Sequence, residues 1–126
     1  MNKEFVIKKC TKCGAMVEVL KDCTCDNCGI KCCGMEMEEV KANTVDASIE
    51  KHKPVVEVVG SYIIVTVPHV MEEAHYIDWI ALSSETVTAK KVVSNEKAAK
   101  AIFPYIKGSV VYSYCNLHGL WSTVVE

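Results

Sequence analysis

The chain reads as a mainly β protein in two parts: a small cysteine-rich domain over residues 1–38 and an antiparallel β-sandwich over residues 39–126. Three observations predict this. Seven of the eight cysteines lie between Cys10 and Cys33, whereas all four histidines come after residue 50. From residue 54 onward, short runs rich in Val, Ile, Thr and Tyr recur between turn residues, the signature of many antiparallel strands. A length of 126 residues leaves room for one ordinary domain and an appendage.

In the first part, Glu4 to Lys9 and Ala15 to Leu20 read as two short strands flanking Cys10-Thr11-Lys12-Cys13-Gly14. A piece this small buries too little apolar surface to fold alone. A bound metal supplies the missing free energy in such domains. Residues 39–51 are polar and free of cysteine, and read as the connection into the second part. There, Val55 to Val59, the turn signal Gly60-Ser61, and Tyr62 to Val67 read as a hairpin stopped by Pro68. Tyr76 to Leu82, Thr86 to Val93, Val110 to Tyr114 and Leu120 to Val125 read as further strands. Asn95 to Phe103, with its alanines and a proline behind it, reads as a helix by propensity.

Composition narrows the function. Half the residues are hydrophobic, so a core is attainable. The net charge of −2, with 14 lysines and no arginine, is not the basic balance of a nucleic-acid binder, and the bidentate phosphate reader is missing. No apolar run approaches the ~20 residues of a membrane span. Met1 to Val6 lack the apolar core of a secretory signal, so the expected compartment is the reducing cytoplasm. There, eight cysteines argue for metal binding. The even count also permits disulfides, a reading kept for Cys23, Cys25 and Cys28.

Cys10-x2-Cys13-Gly14 is a metal knuckle: two sulfurs three residues apart reach one ion, and the glycine lets the backbone turn around them. A four-thiolate site needs a second pair. Cys25 with Cys28 completes a CxxC…CxxC ribbon, and Cys32-Cys33 is the other candidate. Pattern alone favours the ribbon, since adjacent cysteines on one ion require uncommon backbone geometry. Zinc and iron both fit such a set.

His52, His69, His75 and His118, with Cys115, form the second constellation. His69 and His75 flank one loop, His52 precedes a strand, and Cys115-x2-His118 follows one. Loops at the end of a sandwich are where sites are built on that scaffold. A blue-copper site uses two imidazoles, one thiolate and a weak methionine, but no methionine follows Cys115. Zinc prefers four ligands, whereas iron accepts five or six, and a thiolate enriches it in electron density.

These residues carry a family resemblance that covers nearly the whole chain. Cys10-x2-Cys13-Gly14, Cys32-Cys33-Gly34-Met35, Asn43-Thr44-Val45-Asp46-Ala47, Glu50-Lys51-His52-Lys53-Pro54, Pro68-His69-x-Met71-Glu72-Glu73-x-His75-Tyr76 and Tyr114-Cys115-Asn116-x-His118-Gly119-x-Trp121 resemble desulfoferrodoxin, the two-iron class of superoxide reductase. The resemblance implies a desulforedoxin-like N-terminal domain with iron in Cys10, Cys13, Cys32 and Cys33, which overrules the ribbon. It implies an immunoglobulin-like sandwich with a catalytic iron held by His52, His69, His75 and His118 in the equator and Cys115 on the axis. Superoxide is then the substrate, a small redox protein such as rubredoxin the electron donor, and a homodimer the assembly. Lys51 is implied as the cation that attracts the substrate, and Glu50 as the carboxylate that meets the oxidised iron. The chain departs from the family in its 18 residues between Cys13 and Cys32, which hold Cys23, Cys25 and Cys28. These are an alternative ligand pair, a disulfide or free thiols. Two rival functions remain at this level: an iron electron carrier without a substrate, and a zinc-stapled binding module.

Overall fold

A computed structural model describes residues 5–26 and 29–126, so Glu4 of the first expected strand and Cys28 lie outside the described residues. The chain divides into two compact units, Glu4–Lys41 and a unit that begins again at Ala42 and runs to Glu126. The division falls beyond residue 38 because Glu38 and Glu39 are strand partners of the first unit.

In the N-terminal unit, β1 (Val6–Lys9) and β2 (Met16–Val19) form an antiparallel hairpin around the cysteine knuckle. β3 (Lys31–Cys32) and β4 (Met35–Glu36) form a second, minimal hairpin. β5 (Glu38–Glu39) pairs with the free edge of β1, setting Lys8 opposite Glu39 and Lys9 opposite Glu38. Such opposite-charge cross-strand pairs favour this register over its neighbours. Among the described residues of this unit the buried apolar ones are few: Ile7, Cys10, Val19 and Met37. That is too little hydrophobic area to offset the entropy of ordering this unit.

The C-terminal unit opens with α1 (Ile49–His52), a single turn inside the segment expected to be connection. It continues as β6 (Val55–Val59), β7 (Tyr62–Val67), β8 (Ile77–Ser83), β9 (Thr88–Val92), β10 (Ala99–Pro104), β11 (Val110–Cys115) and β12 (Gly119–Val124). Two antiparallel sheets result, ordered β10-β7-β6 and β12-β11-β8-β9. Their facing sides share one core, built from Ile63, Val65 and Val67 of β7, Ala99, Ala101 and Phe103 of β10, Ile80 and Leu82 of β8, and Val111 of β11. This is the mainly β sandwich the sequence predicts. β8 is buried on both faces: outside the core, Trp79 stacks on Tyr114 at 5.6 Å, and the Lys90 ammonium lies 5.5 Å from the Trp79 ring.

One element differs in kind. The segment expected to be helical over Asn95 to Phe103 ends in a strand, β10. Its residues alternate strictly between buried Ala99, Ala101 and Phe103 and exposed Lys100, Ile102 and Pro104. That is a period of two, and pairing with β7 from Ala99↔Val67 to Pro104↔Tyr62 overrides the helix propensity of alanine and lysine. Pro104 is tolerated because β10 is an edge strand.

Candidate metal centres

Two connections and one helical turn bring the C-terminal residues together. β11 ends at Cys115, and β12 begins at Gly119, directly opposite it in the pairing register. The tight turn between them holds Asn116, Leu117 and His118, and Gly119 closes it with φ 80°, a conformation that suits glycine. A register shift between Tyr114 and Cys115 re-aims the thiol at the strand end. The β7–β8 loop carries His69 and His75, and α1 delivers His52, the one buried residue of that turn.

The five donor atoms, one from each of His52, His69, His75, Cys115 and His118, all lie within 4.8 Å of one another. His52 Nε2 is 3.0 Å from His118 Nδ1, and Cys115 Sγ is 3.4 Å from His69 Nε2 and 3.8 Å from His118 Nδ1. Two imidazoles are oriented from behind. The Ser48 carbonyl lies 2.6 Å from His52 Nδ1 and the Val70 carbonyl 2.5 Å from His69 Nδ1. A carbonyl only accepts, so each Nδ1 carries the proton and each Nε2 turns a lone pair inward. His118 faces the group through Nδ1, as its short connection to Cys115 requires.

The neighbours complete the frame. The His118 amide N–H donates to Cys115 Sγ at 3.3 Å, which orients the sulfur. The Trp121 ring stacks on His52 at 5.1 Å, and its Nε1–H donates to the His118 carbonyl at 3.1 Å. The fully buried Ser113 hydroxyl donates to the His52 carbonyl at 2.7 Å. Burial depresses the basicity of His52, and the His118, His75 and Lys51 charges add to this against the Ser48 carbonyl. Burial likewise depresses His69, with His75, His52 and His118 adding to it. Neutral imidazoles are the ligating form.

A transition-metal ion fits this donor set. His75 Nε2 is buried and has no hydrogen-bond partner among the described residues, a cost that a cation at the centre removes. Four imidazoles and a thiolate exceed the four positions zinc prefers. Glu50 and Lys51 lie on α1 immediately before His52, and both are exposed.

The second group is Cys10, Cys13, Cys32 and Cys33, again with donor atoms within 4.8 Å of one another. The knuckle is closed by Gly14 N–H to Cys10 O at 2.9 Å and Cys10 N–H to Ala15 O at 2.8 Å, with Gly14 at φ 82°. Cys13 N–H reaches Cys10 Sγ at 3.5 Å, and Cys13 Sγ and Cys32 Sγ are 3.6 Å apart. The adjacent pair Cys32-Cys33 is possible because the β3–β4 turn holds both Cys33 (φ 55°) and Gly34 (φ 76°) in the left-handed region, as a two-residue hairpin loop demands. The Cys13 amide lowers the Cys10 thiol to about 7, whereas hydrogen bonding with Cys13 pushes Cys32 up to about 12 and raises Cys33. Four sulfurs this close share protons until a cation replaces them.

The ribbon favoured by pattern does not form among the described residues. Cys25 is exposed and lies outside the four-sulfur group, Cys23 is disulfide-bonded, and Cys28 lies outside the described residues. Sequence reasoning missed Trp121, Ser113 and Ser48 as supports. The spacing His118-x2-Trp121 was the available signal for the first; no local signal marks the other two.

A sequence model of the family described as desulfoferrodoxin matches residues 44–124. The desulfoferrodoxin of Syntrophotalea carbinolica is 42% identical over 98% of this chain and 98% of its own length. That of Nitratidesulfovibrio vulgaris is 41% identical over 96% of this chain and 97% of its own. Among solved structures, the superoxide reductase from Treponema pallidum superposes with a TM-score of 0.72 at 28% identity, covering 96% of this chain and 99% of that one.

Proposed function

The chain belongs to the desulfoferrodoxin family, and from that premise we propose that it is a superoxide reductase: superoxide, one electron and two protons give hydrogen peroxide. The observation that carries the reading is the convergence of four imidazoles and one thiolate on a single point. We assign His52, His69, His75, His118 and Cys115 as ligands of a catalytic iron, and Cys10, Cys13, Cys32 and Cys33 as ligands of a second iron. Bound iron supplies the one-electron ferrous–ferric couple.

The side chains do the rest. Cys115 is the electron-rich donor, and the His118 N–H on its sulfur orients it and tunes its donation. The carbonyls behind His52 and His69 keep each Nδ1 protonated and each Nε2 facing inward, while burial keeps both imidazoles neutral. The Lys51 ammonium, exposed beside His52, supplies local positive charge to an anionic substrate against a net charge of −2. Glu50 is assigned as the carboxylate that meets the oxidised centre. The four-cysteine site is assigned either to electron relay or to holding its small unit and the dimer together, with a rubredoxin-type protein as donor, a homodimer as the assembly and the cytoplasm as the compartment. No helix among the described residues is long and apolar enough to cross a membrane.

Mixing the reduced holoprotein with superoxide in stopped flow tests the reading. The expected result is rapid oxidation of the histidine centre with peroxide formed and little dioxygen. Dioxygen evolution without consumption of reductant indicates a dismutase, and no reaction with superoxide indicates an electron carrier. Cys115→Ser abolishes the reaction while the four-cysteine site keeps its colour. Activity that survives this change refutes the thiolate role.

A further inference from the structure

His75 is the imidazole without an anchor of its own. His52 and His69 are each held from behind by a backbone carbonyl. His118 is confined by the turn it shares with Cys115 and by the Trp121 bond to its carbonyl. No hydrogen bond from outside the cluster holds the His75 ring among the described residues, and its buried Nε2 has no partner at all. Its placement therefore comes from its backbone.

That backbone is gripped on both sides by one side chain. Asn116 Oδ1 accepts the Tyr76 N–H at 2.9 Å, and Asn116 Nδ2 donates to the Ala74 carbonyl at 3.0 Å. The main-chain N–H of Asn116 donates to the Tyr76 carbonyl at 3.2 Å. The residues before and after His75 are thus bonded to the residue that follows Cys115. Within the loop, the Glu72 and His75 main chains also bond each other, so the peptide moves as a unit. We propose that Asn116 is the positioning residue of the metal centre: it carries His75 into place and sets its distance from the Cys115 sulfur. The amide does so because it offers one acceptor and one donor, matched to an N–H and a C=O two residues apart. Neither a carboxylate nor a hydroxyl makes both bonds in the same way.

The inference rests on the metal reading above, and its test is metal affinity, independent of superoxide. The full-length metal-free chain is titrated with Co(II) against a chelator. The cobalt bands of the four-cysteine site serve as an internal reference, and the thiolate-to-cobalt band of the Cys115 centre reports geometry. Asn116→Ala is expected to weaken cobalt binding at the histidine centre about 10- to 100-fold and to shift that band, leaving the four-cysteine bands unchanged. Asn116→Asp keeps the acceptor for Tyr76 N–H and loses the donor to Ala74, so an intermediate loss is expected; it also decides the matter should the alanine variant not fold. Ser84→Ala is the control. It removes a hydroxyl that accepts the Thr86 and Val87 N–H groups at the opposite end of β8, so it lowers stability without loosening the centre. Folded Asn116 variants with unchanged affinity and band overturn the proposal, as does an equal loss in Ser84→Ala. If the unmodified chain takes no cobalt at the histidine centre, the metal reading fails and the proposal falls with it.

Discussion

Replacing Gly119 with alanine tests whether the turn that joins Cys115 to His118 depends on a left-handed residue. Gly119 sits at φ 80°, and a Cβ added there lies 3.2 Å from Val45 Cγ2. The two effects are unequal. A left-handed conformation costs an L-residue about 1–2 kcal/mol. The contact with Val45 costs less, because that side chain is 40% exposed and has room to give. Alanine also stiffens the unfolded chain, which offsets about 0.4–1 kcal/mol. The net expectation is a loss of about 1 kcal/mol, equivalent to a fall in Tm of about 4–8 °C for a domain of this size. Both tryptophans, Trp79 and Trp121, lie in the C-terminal unit, so thermal unfolding followed by their fluorescence reads that unit alone. Gly119→Asn is the discriminating partner, since asparagine tolerates φ > 0. The reasoning is refuted if Gly119→Ala is as stable as the unmodified protein, or if asparagine costs as much as alanine. Should Val45→Ala rescue Gly119→Ala fully, the contact and not the backbone was decisive.

Cys32→Ser is expected to strip the N-terminal unit of metal and unfold it, whereas Cys25→Ser is expected to leave metal content unchanged; elemental analysis of both purified variants checks this. In the metal-free protein, stability is expected to fall as pH drops below 6.5, because the unfolded chain takes up protons that the folded state resists at His52 and His69. Urea unfolding followed at the tryptophans between pH 7.5 and 5 tests it, and a flat profile contradicts the burial argument. Lys51→Ile is expected to slow the encounter with superoxide by about tenfold and to flatten its salt dependence; an unchanged rate in stopped flow makes Lys51 a bystander.

Much of this molecule is legible in the chain itself. Period-two runs such as Tyr62–Val67, bounded by Gly60 and Pro68, mark strands because a half-buried sheet needs that alternation. The segregation of seven cysteines from four histidines announces two donor sets of different softness. Where local signals compete, the chain is silent or misleading. Alanines over 95–103 favour a helix until β7 offers a pairing edge, and Cys25 looks like a better partner for Cys10 than Cys32 does until Cys33 adopts φ 55°. Nearby carbonyls decide which nitrogen of His52 and His69 faces inward, but the supports that hold the cluster together come from far away in sequence: Ser113 on the His52 carbonyl, Asn116 on both sides of His75, Trp121 across His52. Donor identity is a property of residues, whereas donor direction comes from packing and hydrogen bonds between segments that only the folded chain brings together.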